Sequence, residues 1–289
     1  MLTSVIHSTE MMDIFQLSSV YALVCASVVG GAVTYFLLND KKSKKCTGCL
    51  CSLKDGSSPI SDDASGKKIT LYGDPRATCT RKVIQMFEEK GYRFEFEIMS
   101  LGNKDQKKPE YMMKHPFGKV PLIEVFNGIA LYESQAIVRY LNDVLPGVNF
   151  VPKNADVRAA MEKWISIYVS YFTPPQKKIM FERMLKPRRG LGATDEEVVE
   201  NAKVELEGVL DVMEAQLAKT TYFAGDEYTL ADLLFGPDFK TLTDQKDVME
   251  VIEKRTNIVR WWNLCTARSA WKRTCEYTNL SKKKATTLV

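Results

Sequence analysis

Between residues 67 and 146 the hydrophobic period changes in a set order, and that order restricts the chain more than any other feature. Ile69, Thr70, Leu71 and Tyr72 make a short strand, ended by Gly73-Asp74-Pro75. Residues 80–90 then carry Val83, Ile84 and Phe87 on one face of a helix, with Gly91 as its C-cap. Phe94, Phe96 and Ile98 alternate with Glu95 and Glu97, the period of a half-buried strand. Two further short strands, 122–126 and 129–131, flank Asn127-Gly128, a pair that tolerates the positive φ of a tight hairpin turn. A helix opening at Glu133 or Ser134 follows, with Ala136, Ile137, Tyr140 and Leu141 apolar. A β-α-β unit followed by β-β-α is the order of a thioredoxin-like domain.

After Leu145-Pro146-Gly147 the pattern turns helical, and residues 154–280 read as an all-helical domain. Residues 156–186 predict one or two long helices, which Pro174-Pro175 should kink or break. Trp164, Tyr168, Tyr171, Phe172 and Phe181 recur there at helical spacing. Residues 187–193 are a loop, and Thr194-Asp195-Glu196-Glu197 opens the next helix as a capping box. In Phe223-Ala224-Gly225-Asp226-Glu227-Tyr228-Thr229-Leu230-Ala231-Asp232, Thr229 caps a helix and Asp232 closes the box. That places Asp232 in a structural role.

Upstream, residues 14–38 carry no charge, a run longer than the ~20 residues a helix needs to cross a bilayer. A short tail, 1–13, precedes it. Its acidic flank (Glu10, Asp13) and the lysines that follow (Lys41, Lys42, Lys44, Lys45) argue against a cleaved signal peptide. That charge order predicts a single-pass protein with its folded module in the cytosol, on the endoplasmic reticulum or outer mitochondrial membrane. Residues 39–66 hold Cys46, Cys49 and Cys51 beside lysines, a setting for palmitoylation, and then a flexible tether. A basic tail, 281–289, ends the chain. The net charge of +4 comes without the dense basic stripe that nucleic-acid binding needs, so no nucleic-acid partner is expected. Seven scattered cysteines make no disulfide framework, and no second ligand pair at zinc spacing predicts a metal.

Three motifs carry a family resemblance. Lys107-Lys108-Pro109-Glu110-Tyr111 leads into His115-Pro116-Phe117-Gly118-Lys119-Val120-Pro121, and then into Leu131-Tyr132-Glu133-Ser134-Gln135-Ala136-Ile137. The chain resembles the glutathione transferases here, closest in style to the phi class. The segment ending at Asp232, Trp261-Trp262 and Ala267-Arg268-Ser269-Ala270-Trp271 extend the resemblance to the terminal helices. It implies the glutathione-transferase fold, a thioredoxin-like α/β domain (67–146) plus an all-α domain, here preceded by one transmembrane helix. It also implies glutathione as co-substrate, a small hydrophobic electrophile and a homodimer. By resemblance Pro121 is a cis-proline, and Val120 offers its backbone to the cysteinyl unit of glutathione. Glu133 and Ser134 meet a carboxylate at a helix N-terminus, and Lys107 and Lys119 steady the rest of the tripeptide. Trp164, Tyr168 and Tyr171 correspond to the helix that lines the co-substrate pocket.

One position departs from the family. Transferases of this kind activate the thiol by donating a hydrogen bond to the thiolate, and the phi-class serine falls here on Ala77. Thr78, one residue on, carries a hydroxyl. Cys79 stands at a helix start suited to a thiolate, and Tyr72 ends the strand. The expected activity is conjugation of glutathione to hydrophobic electrophiles or reduction of lipid hydroperoxides at a membrane face. The alternatives are a non-catalytic binding or scaffold module, or a thiol reductase built on Cys79.

Overall fold

The structure is a computed structural model and describes residues 69–280. The expected tail 1–13, span 14–38, Cys/Lys segment and tether 39–66 (with Cys46, Cys49 and Cys51) and basic tail 281–289 lie outside the described residues. Among the described residues no helix is long and apolar enough to cross a membrane.

Strand β1 (Thr70–Gly73) leads to α1 (Thr78–Lys90), and β2 (Glu95–Ile98) returns parallel to β1. Gly91 adopts φ 63° and caps α1 with its N–H on the carbonyls of Glu88 and Phe87, the role its backbone freedom suits. After a short helical turn at Pro109–Met112, β3 (Leu122–Glu124) and β4 (Ala130–Tyr132) form the hairpin around Asn127-Gly128. The sheet order is β2-β1-β3-β4, with β3 antiparallel to both of its neighbours. α2 (Ser134–Val144) then packs beside α1. Ile69, Leu71, Val83, Ile84, Phe87, Ile123, Ile137 and Leu141 are fully buried between sheet and helices. The strand and helix periods of the sequence therefore point to one apolar layer.

The helical domain comprises α3 (Ala155–Ile167), α4 (Thr173–Met180), α5 (Glu196–Leu217), α6 (Leu230–Thr243), α7 (Lys246–Glu253), α8 (Thr256–Ala267) and α9 (Ser269–Tyr277). The regular α-helix is interrupted just before Pro174-Pro175 and not at them. A π-helical turn at Tyr168–Phe172 precedes the prolines, which then fall in the first turn of α4. There a missing N–H costs least. Thr173 Oγ1 donates to the Tyr168 carbonyl at 2.7 Å, and so satisfies an acceptor in the widened turn. The capping box at Thr229 and Asp232 is present, and Asp232 also accepts from Phe223 N at 3.2 Å and Trp261 Nε1 at 2.9 Å. Those donors tie the start of α6 to α8 and fix the structural role of Asp232.

The two halves meet across α1, which packs against α6 and α9. At that seam Lys82 Nζ donates to Asp238 Oδ2 at 2.7 Å and to the Tyr168 hydroxyl, which in turn donates to Asp238. Lys82 and Asp238 are 2% and 4% exposed. Burial by itself would lower the Lys82 pKa, but the Asp238 carboxylate outweighs it and holds the ammonium charged. Burial pushes Asp238 upward, and Lys82 and its other donors bring it below the ordinary carboxylate range. Removing one partner strands a buried charge, whereas removing both does not. Lys82→Met should therefore destabilise the protein by about 3–5 kcal/mol. Lys82→Met combined with Asp238→Leu should recover more than half of that loss in urea unfolding.

Candidate glutathione site

The register of the sheet assembles the site. Tyr72 faces Leu122 across β1 and β3, and Leu122 faces Tyr132 across β3 and β4. Because β3 runs against both neighbours, the chain leaving β1, entering β3 and leaving β4 emerges at one end of the sheet. Gly73 to Thr78, Val120-Pro121 and Glu133-Ser134, which are far apart in sequence, are thereby brought together. The Val120–Pro121 peptide is cis.

Glu133 is the N-cap of α2 and adopts φ 70°, ψ 107°, a conformation that costs a non-glycine residue about 1–3 kcal/mol. Its side chain makes no cap hydrogen bond and is exposed. Ser134 is 8% exposed in the first turn of α2, where free N–H groups and the helix dipole favour an anion. The strain is met from outside the turn. Tyr132 stacks on His115 at 4.5 Å between ring centroids, and His115 stacks in turn on Tyr111 at 6.0 Å. His115 is 2% exposed and its Nδ1 has no hydrogen-bond partner. Burial lowers its pKa, so the ring is neutral near pH 7.

The 105–119 loop supplies cations. Lys107 and Lys119 are exposed. Lys107 Nζ donates to the Phe117 carbonyl at 3.0 Å, and Tyr111 Oη donates to the Lys119 carbonyl at 2.6 Å. Gly118 lies beneath Lys107 at φ 54°, and a Cβ there would approach the Gln106 carbonyl oxygen to 2.8 Å and Lys107 Nζ to 2.9 Å. The position of Lys107 over this backbone depends on the absence of that carbon.

At the thiol end Ala77 is the N-cap of α1 and has no side-chain acceptor for the first-turn N–H groups. Its own N–H is taken by the Asp74 carbonyl at 2.9 Å. Asp74 is buried and gathers Arg76 through its backbone N–H (2.9 Å), Nε (3.0 Å) and Nη2 (2.7 Å), which stiffens the turn before α1. Thr78 is half-buried, and its side chain helps to hold the Asp238 carboxyl below its ordinary range. That interaction belongs to the seam between the domains. Cys79 is half-buried and its thiol is free. Tyr72 is engaged elsewhere: its hydroxyl donates to Glu124 Oε2 at 2.6 Å, Glu124 pairs with Lys114 at 2.8 Å, and burial with that carboxylate raises its pKa.

The three aromatics expected beside a co-substrate pocket have separate environments. Trp164 is 2% exposed and stacks on Phe223 at 4.6 Å in the helical core. Tyr168 is 4% exposed and belongs to the Lys82–Asp238 cluster, and Tyr171 is 64% exposed. A cleft of about 590 Å³ lined by Lys178, Val198, Asn201, Val204 and Glu205 lies on the helical domain and shares no residue with this site. Among the described residues no group of His, Cys, Asp or Glu side chains is placed to hold a metal. Sequence reading missed Lys82 and Asp238. The available signal was a lysine on the apolar face of α1 and an aspartate inside the buried α6.

A thioredoxin-like sheet with this edge, joined to an all-helical domain, defines the glutathione-transferase class of fold. Family models agree. The glutathione S-transferase N-terminal domain matches residues 64–143, and the C-terminal domain matches residues 158–269. Glutathione S-transferase F11 of Arabidopsis thaliana is 35% identical over 211 residues, covering 72% of this chain and 97% of that protein. The crystal structure of glutathione transferase F7 from Populus trichocarpa is 31% identical with a TM-score of 0.69, covering 73% of this chain and 99% of that one. Maize glutathione S-transferase I in complex with an atrazine glutathione conjugate is 26% identical with a TM-score of 0.68, covering 74% and 99%. The chain belongs to the glutathione S-transferase family, is phi-like and is a glutathione transferase with glutathione as co-substrate.

The same findings correct one expectation, that of a single-pass membrane protein with its module facing the cytosol. The folded module alone spans these relatives almost end to end, the family models leave residues 14–38 unmatched, and no described helix could cross a bilayer. An uncharged run meets the length requirement of a span, but length is a local property and does not make a membrane protein of the family fold.

Gly118→Ala should displace Lys107 and weaken glutathione binding by about tenfold, or 1.4 kcal/mol. Calorimetric titration with glutathione checks this, and circular dichroism should show the helical content unchanged.

Proposed function

We propose that this chain conjugates glutathione to small hydrophobic electrophiles and that the N-terminal turn of α1 stabilises the thiolate. The observation that supports the reading most directly is the Tyr72–Leu122–Tyr132 row, which brings the thiol end, Val120-Pro121 and Glu133-Ser134 to one sheet end. In this reading Val120 pairs its backbone with the cysteinyl unit, in the manner of an added strand. Ser134 and the α2 N-terminus, with Glu133 as its N-cap, take one carboxylate, and Lys107 and Lys119 take the other. Ala77 contributes no hydroxyl, and the Thr78 hydroxyl already serves Asp238. The first-turn N–H groups of α1 are left as the donors, helped by the dipole.

A thiolate held only by backbone donors and a dipole ionises less readily than one that also accepts a hydroxyl. Supplying the missing donor should raise activity. Ala77→Ser should increase kcat/KM toward chlorodinitrobenzene at neutral pH by roughly 10–100-fold, the worth of one hydrogen bond to a charged group. It should also move the thiol ionisation in the pH–rate profile to lower pH. Thr78→Val should change the rate by less than about threefold, since its hydroxyl faces Asp238. An organic hydroperoxide as second electrophile tests whether the same thiolate also reduces lipid hydroperoxides.

Ala77 also favours a second reading, a non-catalytic module that binds glutathione or its conjugates. Glutathione binding with no turnover in the native chain, together with activity in Ala77→Ser, would select it. Cys79 chemistry predicts instead a mixed disulfide on that residue and loss of reductase activity in Cys79→Ser. Assembly as a homodimer accords with the exposure of Phe117 (62%) and Tyr171 (64%), and light scattering measures it.

A further inference from the structure

Where α1 packs on α9, Arg81 is buried without a counter-charge. It is 6% exposed, and among the described residues no carboxylate lies within ion-pair distance. The acids further along α1 are already engaged: Glu88 takes Arg273 at 2.5 Å and Tyr277 at 3.1 Å, and Glu89 takes Arg268 at 2.7 Å. The Arg81 guanidinium lies 5.4 Å from the Trp271 ring centroid, and its Nε has no acceptor. Its Nη2 donates to the Cys275 sulfur on α9 at 3.7 Å. A thiol sulfur is a weak acceptor, so a buried cation is left with donors that nothing here fully satisfies.

Cys275 is half-buried and free. Cys265, on α8, is 2% exposed, and burial pushes its thiol well above the ordinary range. The two cysteines therefore differ in access and in the sign of their surroundings, the condition under which thiol oxidation becomes site-selective.

We infer that Cys275 is a peroxide-sensitive modification site whose oxidised, oxygen-bearing form is held by Arg81 and is then capped by glutathione. The Cys275 thiolate attacks one oxygen of a hydroperoxide. An S–O bond forms, the O–O bond breaks, and the sulfur loses two electrons to the peroxide. The second peroxide oxygen leaves as water, or as an alcohol from an organic hydroperoxide, after taking a proton. The new sulfenate oxygen is an anionic acceptor, and it offers the Arg81 N–H groups the charge-assisted bond they lack in the thiol state. The glutathione thiol then attacks the Cys275 sulfur, an S–S bond forms, the S–O bond breaks, and the oxygen departs as water with the thiol proton and a second proton taken from solvent. A second glutathione reverses the cap by thiol–disulfide exchange and releases oxidised glutathione.

The test uses the full chain, hydrogen peroxide and a cyclic diketone that traps sulfenic acids, with peptide mapping by mass spectrometry. Cys275 should be trapped at least about tenfold faster than Cys265, as its access and its cationic neighbour require. With glutathione in place of the diketone, the same peptide should gain one glutathione, removable by dithiothreitol. Arg81→Gln keeps polar N–H groups but loses the charge, and should slow trapping at Cys275 severalfold while leaving Cys79 unchanged. Arg81→Lys, which keeps the charge, should fall between Arg81→Gln and the native chain, and guards against misfolding of the first variant. Labelling confined to Cys79, equal rates at Cys275 and Cys265, or a Cys275 rate indifferent to both substitutions would overturn the inference.

Discussion

A lysine and an aspartate carried into a protein interior have to meet, and in this chain their meeting joins the two domains. Lys82 stands on α1 and Asp238 on α6, and each is buried. The desolvation of either charge alone would exceed what a single contact returns. Tyr168 supplies a further hydrogen bond from the start of the π turn, and Thr78 supplies another from the first turn of α1. The helix that presents the thiol end is thus fixed by polar contacts to the helical domain as well as by the apolar layer beneath it.

That arrangement has a chemical consequence at the site. The only hydroxyl beside Ala77 that sequence reasoning could offer to a thiolate is used to complete the Asp238 carboxylate. What stays available at the start of α1 is main chain, whose donors are present in any helix and need no particular side chain. Polar satisfaction also shapes the strained turn opposite. Glu133 keeps its positive φ beside an aromatic stack of Tyr132, His115 and Tyr111, and Tyr111 in turn pins the Lys119 carbonyl.

Much of this was legible in the residues. The alternation of Phe94, Phe96 and Ile98, the Asn127-Gly128 turn and the Gly91 cap gave strand and helix order directly, because they are local properties of backbone and period. The glutathione motifs placed Val120-Pro121 and Glu133-Ser134 through resemblance. The aromatics of the first long helical stretch were less informative. Helical spacing says that Trp164 and Tyr168 share a face, but not that Trp164 meets Phe223 while Tyr168 meets Lys82. The prolines at 174 and 175 were expected to kink or break the helix, but a local rule cannot foresee that a π turn just before them makes the interruption.

By itself the sequence determined the elements, their order, the caps at Gly91, Thr229 and Asp232, and the family to which the motifs belong. Each depends on residues a few positions apart, where dihedral preference and hydrophobic period act. The tertiary structure alone decided that three distant segments share one end of the sheet, because strand register is set between strands and not along them. It alone decided that Thr78 serves Asp238, that Tyr72 serves Glu124, and that Arg81 is buried beside Cys275 without a carboxylate. Partners of buried polar groups are chosen by whatever the fold brings within about 3 Å, and that choice is not written in spacing.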